Sequence, residues 1–553
     1  MEVIIIVLAF IGINIYTYFS KKAYVKNKVR KSWGKFPQPR IIDDLDEKEL
    51  NKSMEVIRKY YPKDFYIDSY TWEDLDFIKI FRKINKGYSS VGQDYLFYRL
   101  RNYGKDSADL ESFQALKDFF EKNPKIREQA EANLYYMGKN DNFSVPDFID
   151  TRISRKNKNN KFIYFLGSLP LIFLIVSIVS FQVYPRLGVY GAFAFILFGL
   201  INIGYYRAKS KYKLADIKNS AYLGNFLKRS KKFTTMNLPN SEKIKTKLKE
   251  LGKISFWMNF VAVENTDDPL LLMGEELKKM FLLPLIAYDQ VDKLLDHKHM
   301  EALALFLQVG KIEAAISTLN YELALGATNK PDFIEEYEIL GSEVCHPLLD
   351  DPVANDVDFT GVNIITGSNA SGKSTYVKSI AINAIFAQTL NFVYAKSFKL
   401  KKAGVFTSMA IKDDVVSGDS YFIAEIKSLK RIVDDVENNK SYYFIDEILK
   451  GTNTIERIGA SSSIISYLLG KNALAMIASH DIELVSMFGD SVRNIHFREY
   501  VKENGDIDFD YKLKEGPSKT RNAIKLLENL GFAKEIVDLA KSRASALTKE
   551  KEI

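Results

Sequence analysis

Residues 362–375 read VNIITGSNASGKST, and the segment that follows, YVKSIAINAIFAQ, carries helical periodicity. An apolar strand-like run, Val362 to Thr366, therefore leads into Gly367, Ser368, Asn369, Ala370, Ser371, Gly372, Lys373, Ser374 and Thr375, and these lead into a helix. This is the full G-x-x-x-x-G-K-[ST] pattern in the strand–loop–helix context it requires. Chemistry accounts for each residue type. The glycines let backbone N–H groups close on phosphates, and the helix N-terminus adds partial positive charge. Lys373 has the reach to meet the β- and γ-phosphates, and the Ser374 hydroxyl suits Mg²⁺. The expected cofactors are ATP and Mg²⁺, and the expected activity is ATP hydrolysis.

Working outward, two further apolar runs end in polar side chains that chemistry can use. Ser441 to Asp446 (SYYFID) reads as a buried strand delivering Asp446 to the metal through water, and Glu447 to polarise the attacking water. Ala473 to Ala478 (ALAMIA) is followed by Ser479, His480 and Asp481. At the C-terminal edge of such a strand His480 faces the crevice where ligands bind, placing it to sense the γ-phosphate. From about residue 335 short apolar runs alternate with helices, the pattern of a mostly parallel α/β sheet.

Upstream the pattern is helical, in 40–150 and 207–330, and three stretches are strongly apolar. Val3 to Phe19 holds 17 residues interrupted only by Asn14; Phe162 to Phe181 and Leu187 to Tyr206 each run 20 residues without a charge. The first reads as an uncleaved anchor, since its basic cluster follows the apolar run. The other two read as a transmembrane hairpin. Sixteen basic side chains lie in the acid-free stretches 20–36, 151–161 and 205–213, twice the net charge of +8, so the rest of the chain is net acidic. By the positive-inside rule the N-terminus is expected outside and the ATPase region in the cytoplasm of a multi-pass protein of the cell membrane. The single cysteine, Cys345, excludes an internal disulfide, and five scattered histidines give no zinc spacing. The expected organisation is an anchor at 1–20, a helical region at 21–161, the hairpin at 162–206, a second helical region at 207–335, the ATPase domain at 336–510 and a C-terminal helical segment at 511–553.

Around the nucleotide residues the order is specific. Thr366 to Thr375 fits TGxNxxGKST; Asp413, Asp414, Gly418, Ser420, Phe422 and Glu425 fit DDxxxGxSxFxxE; Asp446 and Glu447 are followed by Gly451 and Thr452, and then by His480. This resembles the MutS family of DNA-repair ATPases. Val344-Cys-His-Pro-Leu-Leu and Tyr511-Lys-Leu-Lys-Glu-Gly-Pro-Ser look like the flanks of that family's ATPase domain, and Asp74 to Asn85 with Gly92 to Leu96 is similar to the start of its helical core and levers. The resemblance implies an α/β P-loop domain of the ABC type, preceded by an all-α core and lever region that the hairpin interrupts. It also implies a homodimer with two composite sites, Ser420 reaching the γ-phosphate held by the opposite subunit, and a C-terminal segment that supports dimerisation. The family's mismatch-reading domain and DNA clamp are expected to be missing, the hairpin standing where the clamp would be. Phe119-Phe-Glu121 and Phe333-Ile-Glu335 share letters with its reading wedge but are expected to pack in amphipathic helices. Pro352 stands where the family often has an aromatic against adenine, and Ser408-Met-Ala-Ile replaces an arginine-containing turn.

Three clients stay open at this level: DNA, in mismatch repair or damage sensing; a membrane or cytoplasmic protein moved by an ATP-driven switch; or, for a transporter half, a solute. Three spans are few for a transport pathway, and Ser417-Gly-Asp-Ser departs from the signature such pumps carry.

Overall fold

A computed structural model describes residues 2–38, 44–140, 144–153, 160–261, 269–367, 371–409, 421–449, 452–501, 507–517, 524, 527–528 and 531–550. The chain forms two compact units, one of Met1–Lys63, Phe81–Arg99 and Ser107–Ala324, the other of Asp64–Ile80, Leu100–Asp106 and Leu325–Ile553.

The second unit is built on a six-stranded sheet: β1 (Val362–Thr366), β2 (Gly404–Ser408), β3 (Ser441–Asp446), β4 (Leu474–Ala478), β5 (Arg493–His496) and β6 (Lys514–Glu515). Their order is β6-β5-β1-β4-β3-β2, with β6 antiparallel to β5 and every other pairing parallel. Strands β1, β3 and β4 are buried at every position, which is why each reads as a near-continuous apolar run. One face of the sheet, with Ile364, Tyr443, Ile445 and Ile477, packs with Leu429, Ile432, Ile465, Leu468 and Leu484 of the flanking helices. The P-loop helix, Lys373–Leu390, is itself buried along almost its whole length. A smaller sheet pairs Asp332–Phe333, Ser397–Leu400, Ile339–Val344 and Asn355–Phe359 in that order.

This unit takes in more sequence than expected. The region 21–161 is not one body, because 64–80 and 100–106 belong with the second unit. Phe65–Tyr66 pairs with Asn102–Tyr103, and the helix Ser69–Asp74 follows, capped by Asp68. Asp74 accepts hydrogen bonds from Thr407 Oγ1 (2.6 Å) and the Met409 N–H (3.0 Å), Arg431 pairs with Asp68, and Tyr103 donates to the Ala403 carbonyl (3.1 Å). Phe333 is half-exposed on a two-residue strand, not in a helix; Phe120 is buried in the helix Ala108–Lys122, as expected for a packing residue.

The first unit is helical. Its longest element, Pro185–Phe233, runs 49 residues without a break, starting at Pro185 in the N1 position where its missing N–H costs nothing. The helix thus runs on through the expected membrane boundary at 206, and the apolar span within it is Pro185–Lys209. Among the described residues three helices are long and apolar enough to cross a membrane, but burial separates them. The most apolar window of Leu283–Leu325 is 83% buried, against 17% in Lys161–Val183 and 22% in Pro185–Lys209. The first is a core helix; the other two present their apolar side chains outward, among them Phe165, Val179, Phe193 and Leu200. They pack on each other closely, since a Cβ on Gly191 would lie 2.9 Å from the Ser177 backbone. Asn202, fully buried, donates to the Leu166 and Met280 carbonyls (3.0 and 2.8 Å).

Candidate nucleotide site

The sheet order places the C-terminal ends of β1, β4 and β3 side by side, and the chain after β1 crosses to the far edge, β2, before returning strand by strand. This is a topological switch point, where open α/β sheets bind ligands. Three segments deliver polar groups there. After β1 the backbone turns through Gly367 (φ 140°) and Gly372 (φ 102°). A Cβ on Gly367 would lie 2.5 Å from the Phe497 carbonyl, so only glycine fits. Lys373 opens the P-loop helix, is 1% exposed, and folds its ammonium onto the Gly367 carbonyl and to 3.2 Å from the His480 ring. Ser374 Oγ donates to Asp446 Oδ2 at 2.6 Å. Glu447, just beyond β3, has φ 62°, and its N–H donates to the Ala478 carbonyl (2.9 Å), which ties the end of β3 to β4. Its carboxylate lies 2.8 Å from His480 Nε2.

An alcohol and a carboxylate in contact at the start of a helix, with an ammonium, a second carboxylate and an imidazole around them, are the groups that can hold phosphate and a divalent cation, with a carboxylate able to activate water beside them.

Comparison with known proteins agrees. Residues 363–548 match the family MutS domain V. Over 239 residues the chain is 35% identical to MutS protein homolog 4 of Homo sapiens, covering 40% of this chain and 25% of that protein. It is 28% identical over 249 residues to DNA mismatch repair protein MutS of Streptococcus pyogenes serotype M1 (42% and 29%), and 30% identical over 233 residues to that of Aquifex pyrophilus (40% and 27%). Residues 363–548 are thus similar to MutS domain V. The match spans between a quarter and a third of the length of these relatives, and it carries the family's ATPase domain.

Within this MutS domain V the structure brings together Gly367, Ser371, Gly372, Lys373, Ser374, Asp446, Glu447 and His480. Thr375 is exposed on the first turn of the P-loop helix. Ser368, Asn369, Ala370 and Ser420 lie outside the described residues, as do Asp413, Asp414, Gly418 and Gly451. Three contributors escaped the reading of the sequence. Asn453 caps the helix Thr454–Gly470 by accepting from the Glu456 N–H at 3.0 Å. Arg457, on that helix, makes a two-pronged pair with Asp481 (2.9 and 2.7 Å), fixing the segment that holds His480. Their signals were present, an Asn three residues before a Glu and an Asp beside the histidine. Tyr511 is the third: its ring lies 3.1 Å from where a Cβ on Gly372 would be, and its carbonyl accepts from Asn355 Nδ2 at 2.9 Å. The loop containing Pro352 leads directly into Asn355, so an aromatic stands beside the P-loop although 352 itself is proline.

Proposed function

We propose that this chain hydrolyses ATP at the site above and uses the cycle to drive a switch in a dimer attached to a membrane. The observation that carries the chemistry is the Ser374–Asp446 contact of 2.6 Å beside the Glu447–His480 pair. Ser374 Oγ and the Asp446 carboxylate are the hard oxygen donors that Mg²⁺ prefers, and the bound ion would neutralise phosphate charge. Lys373 binds the β- and γ-phosphates, Glu447 orients and deprotonates the attacking water, and His480 holds Glu447 and meets the γ-phosphate. Tyr511 supplies a flat surface for the base. Ser420 completes the site of the opposite subunit, a role resting on its sequence match alone.

The test is a pair of variants in detergent-solubilised protein. Glu447→Gln is expected to bind ATP and slow its hydrolysis at least about a hundredfold, the scale for losing a general base; Lys373→Ala is expected to lose binding. Normal turnover by Glu447→Gln overturns the assignment of roles.

Membrane attachment rests on the hairpin, whose outward apolar faces and basic flanks suit a bilayer with both ends in the cytoplasm. The N-terminal run suits the same bilayer less well. Its helix continues through Ser32, and Lys22 lies among Lys228, Arg229 and Lys232. Lys228 is 22 residues beyond Tyr206 on an unbroken helix, about 33 Å at 1.5 Å per residue. A helix tilted by 40° still leaves about 25 Å, roughly the whole length of the 3–19 segment. Two spans, not three, is the arrangement proposed, with residues 3–19 on the cytoplasmic side. Relatives named for DNA mismatch repair make nucleic acid the first class of client to test.

A further inference from the structure

Two basic grooves flank the C-terminal half of the N-terminal helix, Glu2–Ser32, within the first unit. The larger, of about 980 Å³, is lined by eight cationic side chains, among them Lys21, Lys22, Lys26, Lys125, Lys228 and Lys232, and by one carboxylate, Glu128. That carboxylate is engaged by Arg30 at 2.9 Å. The second, of about 770 Å³, adds six more cations, including Lys28, Lys31 and Lys35, of which Lys86 is buried against Glu131 at 2.5 Å. Burial, and then the neighbouring Arg229, Lys22 and Lys228, push the Lys232 ammonium below the ordinary lysine range. Like charges gathered this way repel one another unless an anion joins them, and together they raise the local concentration of that anion. Tyr136 in one groove carries Arg229 over its ring (5.0 Å) and Tyr88 in the other carries Lys86 (5.5 Å).

In the sequence, residues 20–36 read as a topology signal beside a membrane. The fold gives them other company, gathering Lys21, Lys22, Lys26 and Arg30 with Lys125 and with Lys228, Arg229 and Lys232 around the larger groove. The axial distance of about 25–33 Å from the end of the hairpin exceeds the 8–10 Å over which charges act through physiological salt. Headgroups of the bilayer that holds the hairpin are therefore out of reach. A soluble polymer with regularly repeated phosphates is within it. We propose that this surface binds the phosphate backbone of a nucleic acid, without reading its sequence. The inference rests on the nucleic-acid reading above for the class of ligand, and on the grooves for the place. The helix between Lys21 and Lys31 spans about 15 Å, enough for about four to five phosphates along one strand of a duplex, and contacts to phosphates fix position without carrying sequence information.

The experiment uses the full chain in nanodiscs of zwitterionic lipid, a labelled random-sequence 30-base-pair duplex, and anisotropy from 50 to 250 mM salt. Wild type is expected to bind with log K falling linearly in log salt with a slope of about −4 to −5. The triple variant Lys22→Gln, Lys228→Gln, Lys232→Gln is expected to bind at least about tenfold more weakly at 100 mM salt with the slope shallower by about 2 to 3, while ATP hydrolysis stays at the wild-type rate. The corresponding lysine-to-arginine variant is expected to restore binding, which separates lost charge from lost fold. Duplex binding that survives the glutamine variant overturns the groove and leaves the nucleic-acid reading standing. No salt-sensitive affinity in wild type overturns both. Capture by anionic vesicles that the same three substitutions abolish, with no duplex affinity, makes the surface a lipid-binding one and overturns the proposal.

Discussion

Glu447 takes a left-handed backbone conformation, φ 62°, which costs a residue with a Cβ about 1 to 2 kcal/mol. The cost is offset where the Glu447 N–H meets the Ala478 carbonyl and where the carboxylate meets His480, so the strain falls on the residue proposed to activate water at the end of β3. Removing the side chain two ways separates the terms. Glu447→Gly and Glu447→Ala both lose the carboxylate, but glycine also relieves the backbone, so the glycine variant is expected to be about 1 kcal/mol more stable in thermal unfolding; equal stabilities would show the site to be unstrained. Asp74 offers a second test, in pH. Burial raises its carboxyl to about 6, opposed by hydrogen bonds from Thr407 and Met409. Folding then takes up a proton between the ordinary carboxylate value and 6. This contribution to stability is full below about pH 4 and is lost as pH rises through 6, amounting to about 3 kcal/mol for two pKa units. Asp74→Asn keeps an acceptor for both donors and cannot ionise. It is expected to be more stable than wild type at pH 7.5 and to flatten the dependence of unfolding between pH 4 and 6; a variant as pH-dependent as wild type assigns the proton elsewhere.

Elements whose meaning is local were legible in the sequence, and those defined by partners far along the chain were not. The P-loop is a run of adjacent residues whose strand, turn and helix each leave a mark, and β3 and β4 announce themselves because burial on both faces removes every polar alternation. Segments 64–80 and 100–106 join the ATPase unit through Asp68, Asp74 and Tyr103, whose partners Arg431, Thr407 and Ala403 lie some 300 residues away or more; nothing in DLDFIKIF points to them. Composition alone sets the hairpin apart from Leu283–Leu325, whose apolar positions are interleaved with charges such as Asp289, Lys293 and Glu313, and burial then shows that helix to be a core one. Asn453 tests an element whose end was missed. Replacing it with alanine orphans the Glu456 N–H and is expected to cost about 1 kcal/mol of stability. The helix it caps positions Arg457 against Asp481, so ATP hydrolysis is also expected to fall, by a few-fold, with ATP affinity nearly unchanged; a variant with wild-type stability and turnover would show the cap to be idle.

For the molecule as a whole, the hairpin is bound to the helical unit by polar contacts that a purely lipid-anchored segment would not need. At its base Tyr164 and Asn160 donate to Asp289 at 2.7 and 2.9 Å, and Lys293 joins the same carboxylate at 2.6 Å, which fastens the hairpin to the long core helix Leu283–Leu325. Movement of that helix would move the hairpin with it. The number of spans decides what such movement can do, and the single cysteine makes it measurable. With Cys345 replaced by serine, one new cysteine is placed at Val183 in the hairpin tip, at Lys231, or at Glu2, and intact cells are treated with a membrane-impermeant maleimide. Two spans predict labelling at 183 alone, with 231 and 2 reacting only after permeabilisation. Labelling at both 183 and 2 would restore the three-span arrangement that the apolar runs suggest on length and composition, and would require the N-terminal helix to leave Lys228 and Lys232, because about 25 Å of aqueous depth cannot be spanned while Lys22 stays beside them. Protection of 183 in intact cells would remove the hairpin from the bilayer, and its outward apolar faces would then have to be covered by protein.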